Sequence, residues 1–187
     1  MIVGVDEVGR GCWAGPLVAG AVALVTPISG LDDSKVLSKN QREKLADIIR
    51  FEAAAYSLGW VTSKEIDELG LSGAIRLAMQ RAVDLLKIGF DELIVDGNIN
   101  YFPDEPRARA IIKADALVPA VSAASIIAKV ARDAWMTDVA AKKFPHYCFE
   151  KHVGYGTLLH RETLLTHGIC NLHRRSFKPI RNLWDRT

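Results

Sequence analysis

The sequence predicts a mixed α/β fold, a central sheet with helices around it. Three observations carry the prediction. Apolar runs of strand length alternate with runs of helical spacing in the order β-β-α-β-α-α-β-β-α-α. A chain of 187 residues, 49% apolar and 25% charged, can bury about 70% of its unfolded surface without disulfides or a structural metal. The 14 glycines and 7 prolines punctuate these runs and form no low-complexity tract or internal repeat.

Each element has a local reason. Ile2–Glu7 places Val3 and Val5 in alternation and reads as a strand, broken by Gly9-Arg10-Gly11. Leu17–Val25 is a small-residue apolar run, a strand buried on both faces. Ser38 followed by Gln41 forms a capping box, and Leu45, Ile48 and Ile49 extend a helix to Arg50. Ala54–Val61 is the third strand. Ser63–Leu69 is a short helix entered at Ser63, and Ser72–Lys87 is an amphipathic one with Ile75, Ala78, Met79, Ala82, Leu85 and Leu86 on one stripe. Glu92–Val95 is a strand ending at Asp96-Gly97, and Ala110–Lys113 is a short strand after a proline-containing loop. Pro119 precedes a helix over Val121–Lys142. Phe144–Gly156 is irregular and aromatic, Thr157–Thr166 is helical up to Gly168, and the remainder is basic.

Composition removes several classes. The uncharged stretch Gly11–Leu31 contains Pro16 and Pro27, and its unbroken apolar core is too short to span a bilayer. Asp6 and Glu7 stand where a signal peptide would be basic. Three cysteines without a CxxC are no disulfide framework, which fits a reducing cytoplasm. Residues 1–141 carry a net charge of −4 and residues 142–187 carry +6, with all five histidines. That basic end is either a polyanion contact or a solvated face, and Arg174 and Arg175 are the phosphate contacts expected on the first reading.

Carboxylates gather at predicted strand ends. Asp6 and Glu7 are adjacent in an apolar strand, Asp96 closes another, and Asp115 precedes the long helix. A buried, unpaired carboxylate costs several kcal/mol or shifts its pKa upward, and a hard cation with oxygen ligands removes the repulsion among several. Asp96 is alternatively a turn former and Asp115 a helix-entry residue. Gly9, Gly11 and Gly15 sit one residue off the dinucleotide-binding spacing. Pro16 and a strand follow instead of the required helix, so that reading is rejected. Glycines around Arg10 suit backbone brought close to a ligand. Ser122 and Ser125 near a helix N-terminus suit either a phosphate seat or tight packing.

Taken together, the segments resemble ribonuclease HII, the type 2 ribonuclease H of bacteria. The residues that carry the resemblance are Gly4-Val5-Asp6-Glu7-Val8-Gly9-Arg10-Gly11 with Ala14-Gly15-Pro16, then Asp32-Asp33-Ser34-Lys35, Val95-Asp96-Gly97-Asn98 and Lys113-Ala114-Asp115. They continue in the run from Ser122 to Asp133, in Gly154-Tyr155-Gly156-Thr157 and in the segment from Leu172 to Phe177. One departure is Lys151-His152-Val153, where the family more often has Lys-Gly or Arg-Gly.

The resemblance implies an RNase H-like mixed five-stranded sheet flanked by helices, with a C-terminal helical portion. Residues 1–187 would form one catalytic domain, with 1–143 as the core and 144–187 as the basic end, and no extension before the acidic strand. It implies that Asp6, Glu7, Asp96 and Asp115 are catalytic and hold two divalent cations, Mg2+ or Mn2+. Gly9, Arg10, Gly11 and Tyr155 would recognise the 2′-OH, and Lys35, Ser122, Ser125 and Lys129 would bind phosphates. The implied reaction is two-metal-ion hydrolysis of RNA in RNA–DNA hybrids, and 5′ to ribonucleotides embedded in duplex DNA, leaving 5′-phosphate and 3′-hydroxyl ends. A cytoplasmic monomer without membrane contact is expected. A non-catalytic nucleic-acid binding module explains the basic end but not the clustered acids. Another metal-dependent phosphotransferase explains acids plus a serine-lysine helix, but no P-loop is present.

Overall fold

A computed structural model describes residues 1–31 and 37–184. Among them are β1 (Ile2–Val8), β2 (Leu17–Leu24), α1 (Lys39–Glu52), β3 (Ala55–Val61), α2 (Ser63–Leu86), β4 (Glu92–Asp96) and β5 (Ala108–Ile111). They are followed by α3 (Ala114–Leu117), α4 (Pro119–Trp135), α5 (Ala141–Lys143), α6 (Phe149–His152), α7 (Leu158–His167) and α8 (Lys178–Trp184). The chain packs as two compact units. The first comprises Met1–Val8, Val18–Trp60 and Ile75–Val130; the second comprises Gly9–Leu17, Val61–Ala74 and Ala131–Thr187.

The first unit is built on the predicted sheet, a five-stranded one in the order β3-β2-β1-β4-β5. β1 runs antiparallel to β2, with Asp6 opposite Gly20. It runs parallel to β4, with Val5 beside Val95, and β4 is parallel to β5. Every residue of β2 is buried, as an uncharged small-residue run requires. α4 lies directly on this sheet, and two glycines make that possible. A Cβ on Gly4 would stand 2.2 Å from the backbone of Ala120 and Val121, and one on Gly20 would stand 2.4 Å from the Ala124 carbonyl oxygen. Val22, Ala46, Ile49, Ala123, Ala124, Ile126 and Ile127 pack in the core that results.

Several expectations shift in detail. The Ser38–Gln41 capping box forms as expected. The next helix starts at Ser63, as the sequence indicates, and is capped by the residue before it: Glu65 N–H donates to Thr62 Oγ1 at 3.2 Å and Thr62 N–H to Glu65 at 2.8 Å. The two helices expected between 63 and 87 are both present within α2, separated as expected at Gly70, whose φ of 70° and ψ of 167° are not helical. Leu85 faces out at 58% exposure, while Leu86 is buried. β5 begins at Ala108, earlier than Ala110, because its pairing starts where Ala108 meets Leu93. The helix from Pro119 leaves α geometry at Met136–Ala140, a π turn, before α5. The irregular segment after Phe144 holds a 3-10 turn at Pro145–Tyr147 and the single turn of α6.

The second unit has its own core of Ala14, Met136, Ala140, Tyr147, Phe149, Leu164 and Ile180. α7 starts at Thr157, whose hydroxyl accepts the His160 N–H, and ends at Gly168, as the sequence indicates. Among the described residues no helix is long and apolar enough to cross a membrane.

Gly20→Ala should force α4 off the sheet, because its Cβ meets backbone, which has no rotamer to yield. The expected loss is about 1–3 kcal/mol of unfolding free energy in urea titration. Gly89→Ala, with open space around its Cβ, should stay within about 0.5 kcal/mol. Equal effects would show that the close approach is not what these glycines supply.

Candidate active site

Asp6, Glu7 and Asp96 lie near one another at the carboxyl ends of β1 and β4. The parallel register pairs Val5 with Val95, so one residue further places Asp6 beside Asp96, where open α/β sheets carry their chemistry. Asp6 is buried and Glu7 is partly buried. Burial raises the Asp6 pKa to about 8, with further upward pushes from Glu7 and Asp96. Two hydrogen bonds to its charged form resist that rise, one from the Ser125 side chain and one from the Glu7 N–H at 2.7 Å.

Asp96 accepts the Ala114 N–H at 2.7 Å. That bond ties β4 to the start of α3, and Asp115 is the next residue, buried in the first turn. Ile94, Ala114 and Val121 pack beneath it. The four predicted carboxylates therefore sit on three neighbouring elements. Among the described residues, no group of three or more histidine, cysteine, aspartate or glutamate side chains is drawn together into a ready-made metal cage. The donors are all carboxylate oxygens, and burial, with the charges of Glu7 and Asp96 added to it, keeps Asp6 protonated at neutral pH. That chemistry fits a hard divalent cation that retains part of its water shell.

α4 brings Ser122 and Ser125, both buried, to the same unit, with Lys129 partly exposed one turn beyond Ser125. Ser125 spends its hydroxyl on Asp6, a bond the sequence reading did not anticipate. Lys35 lies outside the described residues.

In the second unit, Gly9-Arg10-Gly11 and Gly154-Tyr155-Gly156 are held by two fully buried arginines. Arg132 donates to the carbonyls of Pro16 at 2.8 Å, Val153 at 2.9 Å and Ala14 at 3.2 Å. Arg174 donates to those of Arg10 at 3.0 Å, Gly15 at 3.0 and 3.2 Å, and Pro16 at 3.2 Å. The expectation that Arg174 contacts phosphate is thus overturned: its guanidinium is sealed in protein and spent on main-chain oxygens. Burial lowers its pKa to about 10, so it stays charged at neutral pH. Arg175 is exposed, and its N–H is bonded to Asp67 at 2.9 Å.

The two loops also bond to each other, as the N–H groups of Trp13 and Ala14 donate to the Gly154 carbonyl at 2.8 and 3.3 Å. Gly9 (φ 97°) and Gly154 (φ 88°) adopt the left-handed backbone these bonds need. Arg10 and Gly11 are exposed, and a Cβ on Gly11 would meet nothing within 4 Å. Tyr155 is 39% exposed, and its ring lies 5.9 Å from the Arg132 guanidinium. Burial of its hydroxyl beside Cys12 raises the phenol pKa, which keeps it a proton donor. Sequence reasoning missed both arginine clamps. Arg132 carried a signal, because it falls between Ala128 and Met136 on a buried helical stripe; Arg174 carried none.

The chain matches the model of the family described as ribonuclease HII over residues 3–180. It is 50% identical over 182 residues to ribonuclease HII of Verminephrobacter eiseniae, covering 96% of this chain and 86% of the relative. It is 48% identical over 186 residues to that of Halorhodospira halophila, covering 97% and 94%. Its fold superimposes on the crystal structure of ribonuclease H2 from Pyrococcus horikoshii OT3 with a TM-score of 0.81 at 30% identity, covering 99% of this chain and 97% of that one.

Asp96→Asn should stabilise the protein in the absence of added metal. Asn retains an oxygen for the Ala114 N–H and removes one charge that raises Asp6. Folded Asp6 keeps its proton until about pH 8, whereas the unfolded chain releases it near 3.8. Stability therefore drains away as pH rises through that window. Urea titrations in chelator should show the variant more stable than the parent at pH 8 and equal to it below pH 4. A variant less stable at pH 8 would show that the Asp96 charge does not bear on Asp6.

Proposed function

The chain belongs to the ribonuclease HII family and is a ribonuclease, a hydrolase of phosphodiester bonds; from this we propose that it cuts the RNA strand of RNA–DNA hybrids. We further propose that it cuts 5′ of ribonucleotides embedded in duplex DNA, by two-metal-ion catalysis. The observation that supports the reading is the Asp6 carboxyl, buried at a strand end against Glu7 and Asp96. Such a group is costly in a protein that only folds and useful in one that holds cations.

In this reading Asp6, Glu7, Asp96 and Asp115 hold two divalent cations, Mg2+ or Mn2+. When bound, the cations make water nucleophilic at neutral pH and offset charge on the departing 3′-oxygen. The residues of the chain do the rest. Ser125 orients the Asp6 carboxylate, and Ala114 N–H fixes that of Asp96. Lys35 and Lys129 neutralise phosphates and Ser122 helps seat them, which positions the duplex without reading its sequence; Ser125, expected to join them, has its hydroxyl committed to Asp6.

Gly9-Arg10-Gly11 offers backbone groups to the 2′-OH, the group that distinguishes RNA from DNA at one sugar. Gly11 leaves room for a ribose to approach. Tyr155 lays its ring on the adjacent sugar and directs its protonated hydroxyl to the same 2′-OH. Products then carry 3′-hydroxyl and 5′-phosphate ends. Cys12, Cys148 and Cys170 form no disulfide, in keeping with action in a reducing cytoplasm.

The test is product mapping on a denaturing gel, using duplexes with no ribonucleotide, one, or four, with and without chelator. One ribonucleotide should suffice, with cleavage on its 5′ side, and chelator should stop it. Asp96→Asn should fall below about 1% of parental activity, a loss above about 2.7 kcal/mol. Tyr155→Phe should be milder than Tyr155→Ala, because the ring survives. Cutting of the all-DNA duplex at the same rate would remove the 2′-OH reading. Cutting of the four-ribonucleotide substrate alone would leave a hybrid-only nuclease, and cleavage in chelator would remove the cations.

A further inference from the structure

Three of the five histidines are buried: His152, His160 and His173. Their ring nitrogens are all taken, and the partners fix where each proton lies. Tyr155 carbonyl oxygen can only accept, so His160 Nδ1, 2.9 Å away, carries the proton. A neutral His160 then presents a bare Nε2. His173 Nε2, 3.0 Å from it, must donate. Neutral His173 is left with a bare Nδ1, which accepts the Cys170 N–H at 2.9 Å. His152 completes the set, accepting the Gly154 N–H on Nδ1 at 3.2 Å and donating from Nε2 to the Tyr147 carbonyl at 2.9 Å. Its ring stacks on that of His160, with centroids 4.3 Å apart and planes 15° apart.

An added proton on His160 would face the Nε2–H of His173, and one on His152 would face the Gly154 N–H. On His173 it would displace the Cys170 N–H from Nδ1, with the Cys170 carbonyl at 3.3 Å as the longer alternative partner. Burial agrees, holding His160 at about 4 and His173 at about 3 and lowering His152. The chain of bonds runs from Cys170 through two rings to the Tyr155 carbonyl, and the stacked third ring grips the Gly154 amide just before it. The segment it grips bears Tyr155, whose side chain reaches Arg132 and Cys12.

We propose that His152, His160 and His173 form a neutral hydrogen-bonded relay that positions Tyr155, and so sets how well the enzyme accepts a single embedded ribonucleotide. None of the three touches substrate; they are positioning residues that act through the backbone on either side of Tyr155. The proposal rests on the reading of Tyr155 as a sugar-contacting residue. It adds that the discrimination is set in a buried imidazole cluster as well as at the exposed ring.

The relay predicts a specific pattern of replacement. The amide nitrogen of Asn falls near the place of imidazole Nδ1, so His160→Asn keeps a donor for the Tyr155 carbonyl. His160→Leu keeps volume and no donor. The readout is the ratio of kcat/KM on a duplex with one ribonucleotide to that on a long hybrid, for full-length protein. Tyr155→Ala should lower the ratio about tenfold. His160→Leu should lower it by a similar factor, His160→Asn should restore most of it, and Tyr155→Ala with His160→Leu should be no worse than Tyr155→Ala alone. If His160→Leu does not fold, the imidazole nitrogen shifts of the unmodified protein decide by NMR: His160 should carry its proton on Nδ1, and His152 and His173 on Nε2.

A ratio unchanged by Tyr155→Ala would remove the role assigned to Tyr155, and the relay's purpose with it. A low ratio in Tyr155→Ala, together with an unchanged ratio in His160→Leu or an additive loss in the double variant, would overturn the relay alone. So would the opposite tautomer at His160, or a protonated ring at neutral pH.

Discussion

The close approach of α4 to the sheet is the constraint on which the first unit depends. It requires that β1 and β2 present no side chain at Gly4 and Gly20, and that α4 present small residues in return. With a Cβ in either place the helix would ride away from the sheet, and Ser125 would leave Asp6. The same closeness is what desolvates Asp6. A carboxylate at the mouth of a looser sheet would keep water and an ordinary pKa. Here a packing solution and an electrostatic one are a single fact: small residues admit the helix, and the helix dries the acid.

The second unit solves a different problem, that of holding irregular backbone still. Loops have carbonyls to satisfy and no ladder to satisfy them. Arg132 and Arg174 each turn a planar fork of donors toward several such oxygens at once. Spending charged groups on main-chain oxygens makes the bonds strong, and burial makes breaking them costly. The histidines work on the neighbouring segment with neutral rings. Cation and neutral donor thus overlap: guanidinium serves the carbonyls of Arg10 to Pro16 and, through Arg132, that of Val153, while imidazole serves the Gly154 amide and the Tyr155 carbonyl.

Much of the first unit was legible because its determinants are local. Alternation marked β1, a Ser-Gln pair marked α1, and Asp96 was marked by the apolar residues it terminates. The start of α2 at Ser63 was legible, but its cap was not, because Thr62 and Ser63 are both capping types and only Glu65, three residues beyond Thr62, decides between them. Leu85 was misassigned because two adjacent leucines fit one stripe equally well until the packing chooses. The acids were found as a group, yet their closeness depended on strand register. The burial of Arg174 left no local trace, because a guanidinium among charged neighbours reads the same whether it faces phosphate or the carbonyl of Gly15. The histidines were read only as part of a basic end. Burial converted three of them from potential cations into neutral connectors, and burial of that kind follows from the fold, not from neighbouring residues.

The second unit draws its substance from three separated stretches, 9–17, 61–74 and 131–187. The bonds from Arg174 to Gly15 span 159 residues of chain. On the ribosome, where residues emerge at about 5–20 per second, the segment around Arg10 is made well before the arginine that clamps it. Until Arg174 has been threaded in, the carbonyls it will hold have only water for partners, even where the strands beside them have already paired. The nascent chain thus carries this loop unclamped for as long as those intervening residues take to be made.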